Sequence, residues 1–289
     1  MIKLLEIVLN VSIVVLTVAS LLECGLGLTL AQIVQPLRNV RLALTSAVVS
    51  HLLVPLIAVA VSRLIGIEEH QRYGLVLFGL VAGIEVGPKI VSIAKGNVAF
   101  AVGLMIAQLG ITIIYVPLML YLLLPEVHFN HLSLLAKMCV IVALPLGLGL
   151  LLKRRRETLA HRLIPYVHKV TLVSILVMFG LIFFLKYDVL FKLAGTGAIG
   201  AAAAVIALSF ITGYVLGGPQ PGTRKALAVM SGMRNGGVAL MIASQTFHDP
   251  EAFTMIVGTL VIMNLLIPST AFWLGRRAAS DGKSSAQGN

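Results

Sequence analysis

The sequence predicts an all-α, polytopic membrane protein, and three observations carry that prediction. Mean hydropathy is +1.01, and 58% of the 289 residues are hydrophobic, where soluble domains hold roughly half. Charged residues make up 11%, against about a quarter in soluble domains. The apolar runs are continuous over about 20 residues, enough to cross a bilayer as helix, whereas barrel strands alternate over about 10.

Nine spans follow in order: Leu4–Gln32, Ala43–Ile65, Tyr73–Ala94, Val98–Leu124, Leu134–Leu152, Pro165–Leu185, Phe191–Leu216, Lys225–Thr246 and Phe253–Leu274. The first resembles a signal peptide in having one lysine before an apolar run, but it holds Glu23 and lacks a convincing small-residue cleavage site, so it is read as a span. Cys24 and Cys139 are the only cysteines, both inside apolar runs, and imply no disulfide framework. Loops are short, so residues 1–277 read as a single transmembrane domain and 278–289 as a disordered cytoplasmic tail.

The net charge of +11 would point to nucleic acid or an anionic surface in a soluble chain, but here its distribution decides. Arg38, Arg41, Lys95, Lys153–Arg156, Arg162, Arg224, Lys225, Arg276, Arg277 and Lys283 fall on one side. On the other, Arg63 and Arg72 are offset by Glu68 and Glu69, Lys186 and Lys192 flank Asp188, and the loops Pro125–Ser133 and His248–Glu251 hold no Lys or Arg. A Lys/Arg excess marks the cytoplasmic face. The expectation is a multi-pass cell-membrane protein with its N-terminus outside and its C-terminus inside. The partners are the lipid bilayer and a small solute, with no nucleic acid. Lys153–Arg156 is read as a topology determinant rather than a lipid-headgroup site.

Two spans break in the middle. The third is interrupted at Gly83-Ile84-Glu85-Val86-Gly87-Pro88-Lys89, and the eighth at Ser231-Gly232-Met233-Arg234-Asn235-Gly236-Gly237. Backbone leaves the helix at membrane depth only where protein or a wet cavity takes up its N–H and C=O groups. Paired interruptions in corresponding spans of two inverted repeats point to a transporter's binding site. The breaks lie five spans apart, which suits two five-helix repeats of which the first lacks its opening helix. Each break carries a cation, Lys89 and Arg234, and intramembrane charges cost about 2.5–3.5 kcal/mol at the bilayer centre unless paired or lining a polar path.

Gly25–Arg41 (GLGLTLAQIVQPLRNVR), His51–Pro55, Ile93–Ala99 (IAKGNVA) and Gly232-Met233-Arg234-Asn235 resemble, in order and spacing, the bile acid:sodium symporter family. The resemblance spans about Leu4 to Gly275. It implies a nine- or ten-helix inverted-repeat fold with panel and core domains, in which two broken, crossing helices of the core hold two sodium ions and an organic anion. It also implies departures. The family's Ser-Asn sodium-ligand pair falls at Gly87-Pro88, its central sodium-binding Glu at Met230, and a Gln at Arg234. Hard cations take oxygen donors, which proline, thioether and guanidinium side chains do not offer, so a sodium gradient is expected to drive uptake weakly or not at all, leaving sodium or a proton as the coupling ion.

The resulting expectation is a secondary-active carrier of an organic anion, with proton-coupled or uncoupled transport, or a non-transporting anion sensor, as alternatives. Lys89, Arg234, Asn235 and Glu85 are the candidate substrate residues. Arg234 and Lys89 attract the anion, Asn235 offers hydrogen bonds, and Glu85 tunes Lys89 from four residues away, a spacing that a helix would close into an ion pair. Glu23 and Glu85 are the candidates for ion or proton coupling. His51 is read as a hydrogen-bonded packing residue rather than a titrating one. His128 and His131, with Glu126 as the nearest acid, make a poor metal site. No cofactor, metal or catalytic residue is expected: the apolar spans hold no Asp pair and no HExxH. A channel would show rings of like residues rather than two breaks.

Overall fold

The computed structural model describes the backbone of residues 2–34, 39–123, 130–193, 195–246 and 250–287, which is helical and holds no strand. Its helices are α1 (Ile2–Gly27), α2 (Leu30–Val34), α3 (Val40–Val48), α4 (Val54–Ile65), α5 (Glu69–Leu80), α6 (Gly87–Ile93) and α7 (Val98–Leu123). They continue with α8 (His131–Met138), α9 (Leu144–Arg155), α10 (Glu157–Leu193), α11 (Ala198–Leu216), α12 (Pro221–Gly232), α13 (Gly236–Thr246) and α14 (Pro250–Gln287). Among the described residues, eight segments are long and apolar enough to cross a membrane. The remaining expected span, 73–94, is divided between α5 and α6, each too short to cross the roughly 30 Å hydrocarbon core alone. Leu4, Ile114, Leu176, Phe183, Phe184 and Leu265 point outward, apolar surface that water would penalise and lipid accepts. The chain is a polytopic helical membrane protein.

Single π turns at Val49–Leu53 and Cys139–Ala143 join α3 to α4 and α8 to α9. Each precedes a proline, Pro55 or Pro145, whose ring crowds the preceding turn and which donates no backbone bond. The Tyr115 hydroxyl from α7 bonds the His51 carbonyl, four residues before Pro55.

Several boundaries differ from the sequence reading. The first span ends at Gly27, because Thr29 and Gln32 bond each other and start α2 separately. The sixth begins at Glu157, with Pro165 inside α10 rather than at its start, and runs to Leu193. The seventh therefore starts at Ala198, after Gly197 at φ 75°, not at Phe191. The α14 backbone continues to Gln287, across the tail whose composition reads as disordered; an established helix adds residues without a new nucleation cost.

Two packed units result. In one, α1 packs along both α9 and α10. Gly25 and Gly149 let the α1 and α9 backbones touch, since a Cβ on Gly25 would lie 2.4 Å from the Leu146 carbonyl oxygen. The other unit is built from α4, α5, α6, α7, α11, α12 and α14, with α12 packed along α11 and α14 against α5. The units meet where α13 reaches α1 and α14 reaches α10.

Candidate functional site

The two breaks meet inside the second unit. The first covers Val81–Val86, and the second is Met233-Arg234-Asn235. Gly83 holds φ +87°, and a Cβ there would stand 2.7 Å from the Leu109 backbone nitrogen, so only glycine fits this approach to α7. The freed backbone groups find partners. Thr112 Oγ1 of α7 lies 3.3 Å from the Ala82 nitrogen and 3.2 Å from its carbonyl oxygen, accepting from one and donating to the other. The Asn235 backbone N–H donates to the Val81 carbonyl at 3.2 Å. Its Nδ2 donates to the Gly83 carbonyl at 3.1 Å and to Glu85 Oε1 at 3.0 Å, and its Oδ1 accepts from the Val238 N–H at 3.1 Å. Asn235 thus ties both breaks together and caps α13. This accounts for non-helical backbone at membrane depth.

A cavity of about 830 Å³ lies between the two units. Ser20, Glu23 and Cys24 of α1 and His168 and Thr171 of α10 line one wall. Glu85, Lys89, Asn235 and Asn264 line the other, together with Gly236 and Gly237 at the start of α13. The rest of the lining is mainly apolar, including Leu16, Ile84, Phe179 and Leu260. Glu23, Glu85, Lys89 and Asn235 are therefore brought together as cavity residues.

Glu85 and Lys89 do not form the expected pair: no ion pair within 4.0 Å joins them. Glu85 lies in the turn before α6, so the i,i+4 helical geometry does not reach across to Lys89 in the helix's first turn. Glu85 instead accepts from Asn235 and, at 3.5 Å, from the Ser20 hydroxyl across the cavity. Lys89 is exposed, and its ammonium has no bonded partner among the described residues.

Arg234 does not line the cavity. Its side chain is 1% exposed and turns the other way, where Nη1 donates to the Ser50 carbonyl at 3.0 Å. Gln108 Nε2 donates to the Ser50 hydroxyl at 2.5 Å, and the His51 ring packs edge-on against Tyr115. His51 is thus a packing residue of this buried cluster, with its ring nitrogens 3.3 Å from the Ala47 carbonyl and 3.4 Å from Thr112 Oγ1. Arg234 Nε and Nη2 meet no acceptor among the described residues.

Sequence reasoning named Glu23 in the first unit but missed its partners on α10. His168 Nδ1 sits 3.0 Å from Glu23 Oε1, and the Thr171 hydroxyl donates to Glu23 Oε2 at 3.4 Å. The signal was a histidine and a threonine three residues apart within an apolar run; only the packing of α10 on α1 shows that they face Glu23. Residue His128 lies outside the described residues, as does the side chain of His131.

Two of the positions at which the resemblance would put the family's sodium ligands also meet. A Cβ on Gly87 would lie 2.4 Å from the Met230 sulfur, so the two positions touch, as a thioether against glycine. The profile of the Sodium Bile acid symporter family matches residues 13–193. The chain belongs to that family. The match includes the latter half of α1, the first break, Lys89 and His168, and ends before α12 and α13. Among curated proteins, it is similar to the probable sodium/metabolite cotransporter BASS1, chloroplastic, of Arabidopsis thaliana, at 24% identity over 83% of this chain and 61% of the relative. It is also similar to BASS3, chloroplastic, of the same plant, at 23% identity over 78% of this chain and 54% of the relative. The chain thus spans little more than half the length of these relatives.

Proposed function

We propose that the protein is a secondary-active carrier of a small organic anion in the cell membrane, and that it works without bound sodium. The observation that carries this reading is Lys89. Its ammonium, without a bonded partner among the described residues, opens on an 830 Å³ cavity beside the crossing of two broken helices. The N-terminus of α13 reaches the same cavity at Gly236 and Gly237. An anion there meets a cation and the positive end of a helix dipole together. The apolar lining suits a carbon body, and Asn235 and Asn264 supply hydrogen bonds. Family membership supports transport, and the relatives' names give sodium and a metabolite as their cargo.

Arg234 takes a second role in this reading. Lying behind the crossover, it supplies a fixed positive charge near the position of the family's sodium ligands, while Met230 fills the carboxylate's place. It strengthens the anion site through its field rather than by contact, and Glu85 orients Asn235 rather than pairing with Lys89. Alternating access follows from movement of one packed unit against the other, with the cavity at their boundary.

The test is uptake of labelled taurocholate and labelled pyruvate into proteoliposomes, in sodium and in choline buffer at equal pH. Saturable uptake of either anion at the same rate in both buffers is expected. Uptake of neither, with binding retained, would make the protein a sensor; tenfold stimulation by sodium would show that other oxygens rebuild the ion site.

A further inference from the structure

We propose that the Glu23–His168 pair is the proton-binding site that couples this carrier to a pH gradient, an inference that rests on the transport function above. Both residues line the cavity, at 19% and 45% side-chain exposure, so the pair is held by protein yet open to the solute space. His168 Nδ1 is 3.0 Å from one oxygen of Glu23, and Thr171 donates to the other, which fixes the carboxyl and aims it at the ring. An imidazole is the side chain whose ordinary charge change falls at about pH 5–8.

Charge balance gives the pair its task. The ionisable side chains facing this cavity are Glu23, Cys24 and His168 on one wall and Glu85 and Lys89 on the other. Around them, α13 and the stretches 144–152 of α9 and 252–275 of α14 contain no Asp, Glu, Lys, Arg or His. Lys169, beside His168 on α10, is exposed, and Arg234 does not reach the cavity. With His168 neutral and both carboxyls ionised, the walls themselves carry one excess negative charge, which offsets the field of Arg234 behind them and weakens the pull on an incoming anion. One proton on the pair removes that excess. The anion then enters a neutral site in which Lys89 is still available. The proton comes from water on one side and returns to water on the other, and only an N–H or O–H bond forms and breaks.

The pair is also placed to report its charge to the moving parts. Ser20, one helical turn before Glu23 on α1, bonds Glu85 of the opposite unit at 3.5 Å. A change of charge at Glu23 is therefore felt one turn from a polar contact that joins the two units.

The experiment uses the full chain in proteoliposomes, wild type against Glu23→Gln and His168→Gln, with labelled taurocholate and labelled pyruvate as probes. Two rates are measured: accumulation driven by an inside-alkaline pH gradient, and exchange at equal pH. In both variants the ratio of accumulation to exchange should fall at least tenfold. An unchanged ratio overturns the proposal. Should Glu23→Gln fail to insert, Glu23→Asp, which keeps the acid but shortens its reach to His168, should lower the same ratio. Infrared pH titration of the same liposomes requires no substrate. Carboxylate and imidazole bands should change over one shared pH range, each displaced when the other residue is substituted. Independent bands overturn the site. If the wild type exchanges neither anion while the bands remain linked, the proton site stands and the proposed transport function fails.

Discussion

The two interrupted spans look alike in sequence, each with a glycine-flanked break and one cation, yet the fold uses them in opposite ways. Lys89 stands in the first turn of α6, its ammonium in the cavity without a bonded partner among the described residues. Arg234 lies within the second break, is 1% exposed, and bonds the Ser50 carbonyl on the far side. The cause is local. The first break ends in Gly87-Pro88, which restarts a helix early enough to bring Lys89 to the cavity wall. The second break gives Asn235, not its neighbour Arg234, the position that bridges both breaks. In the function proposed above, the charge on display serves binding and the charge put away serves electrostatics.

The largest effect that would separate them is on affinity. Lys89→Gln should weaken anion binding roughly tenfold to more than a hundredfold, the worth of one ionic hydrogen bond at about 1.5–3 kcal/mol. Arg234→Gln should change affinity by less than about threefold, because its field acts at a distance. Concentration dependence of uptake by the two variants measures both, and equal losses would erase the distinction.

Next comes the tie between the breaks. Asn235→Ala removes two bonds to the first break and the α13 cap, and should cost about 1–3 kcal/mol of stability. Thermal unfolding in detergent checks this, with Asn264→Ala as a comparison expected to cost less, since its one side-chain bond is to its own helix.

A smaller, qualitative change is expected at the proposed exchange of sodium for side chain. Combining Met230→Glu with Arg234→Gln returns the family's residues and should introduce saturable sodium stimulation of a few-fold, read as uptake in sodium against choline. No stimulation would show that Gly87-Pro88 alone prevents the site. Smallest in energy is the topology test, which sharpens which face each break opens to. In a background lacking Cys24 and Cys139, single cysteines at Ser133 and Ser280 should react with an impermeant thiol reagent from opposite faces, Ser133 from outside. Labelling of both from one side would overturn the nine-span arrangement.

Much of this was legible in the chain. Continuous apolar runs determined a helical membrane protein, because lipid leaves backbone groups no other partner than their own helix. Gly83, Gly87-Pro88 and Gly236-Gly237 determined where two of the spans open, because those residues relax or interrupt helical backbone. Family motifs in order determined the family. What neighbours in sequence could not determine was the direction of a side chain or its partner across the fold. Glu85 and Lys89 have helical spacing, but a turn separates them. Glu23 and His168 are 145 residues apart and became partners only when α10 packed on α1. Arg234 was drawn from the cavity by Ser50, 184 residues away. Local chemistry sets which backbone can break; long-range packing sets what each break faces.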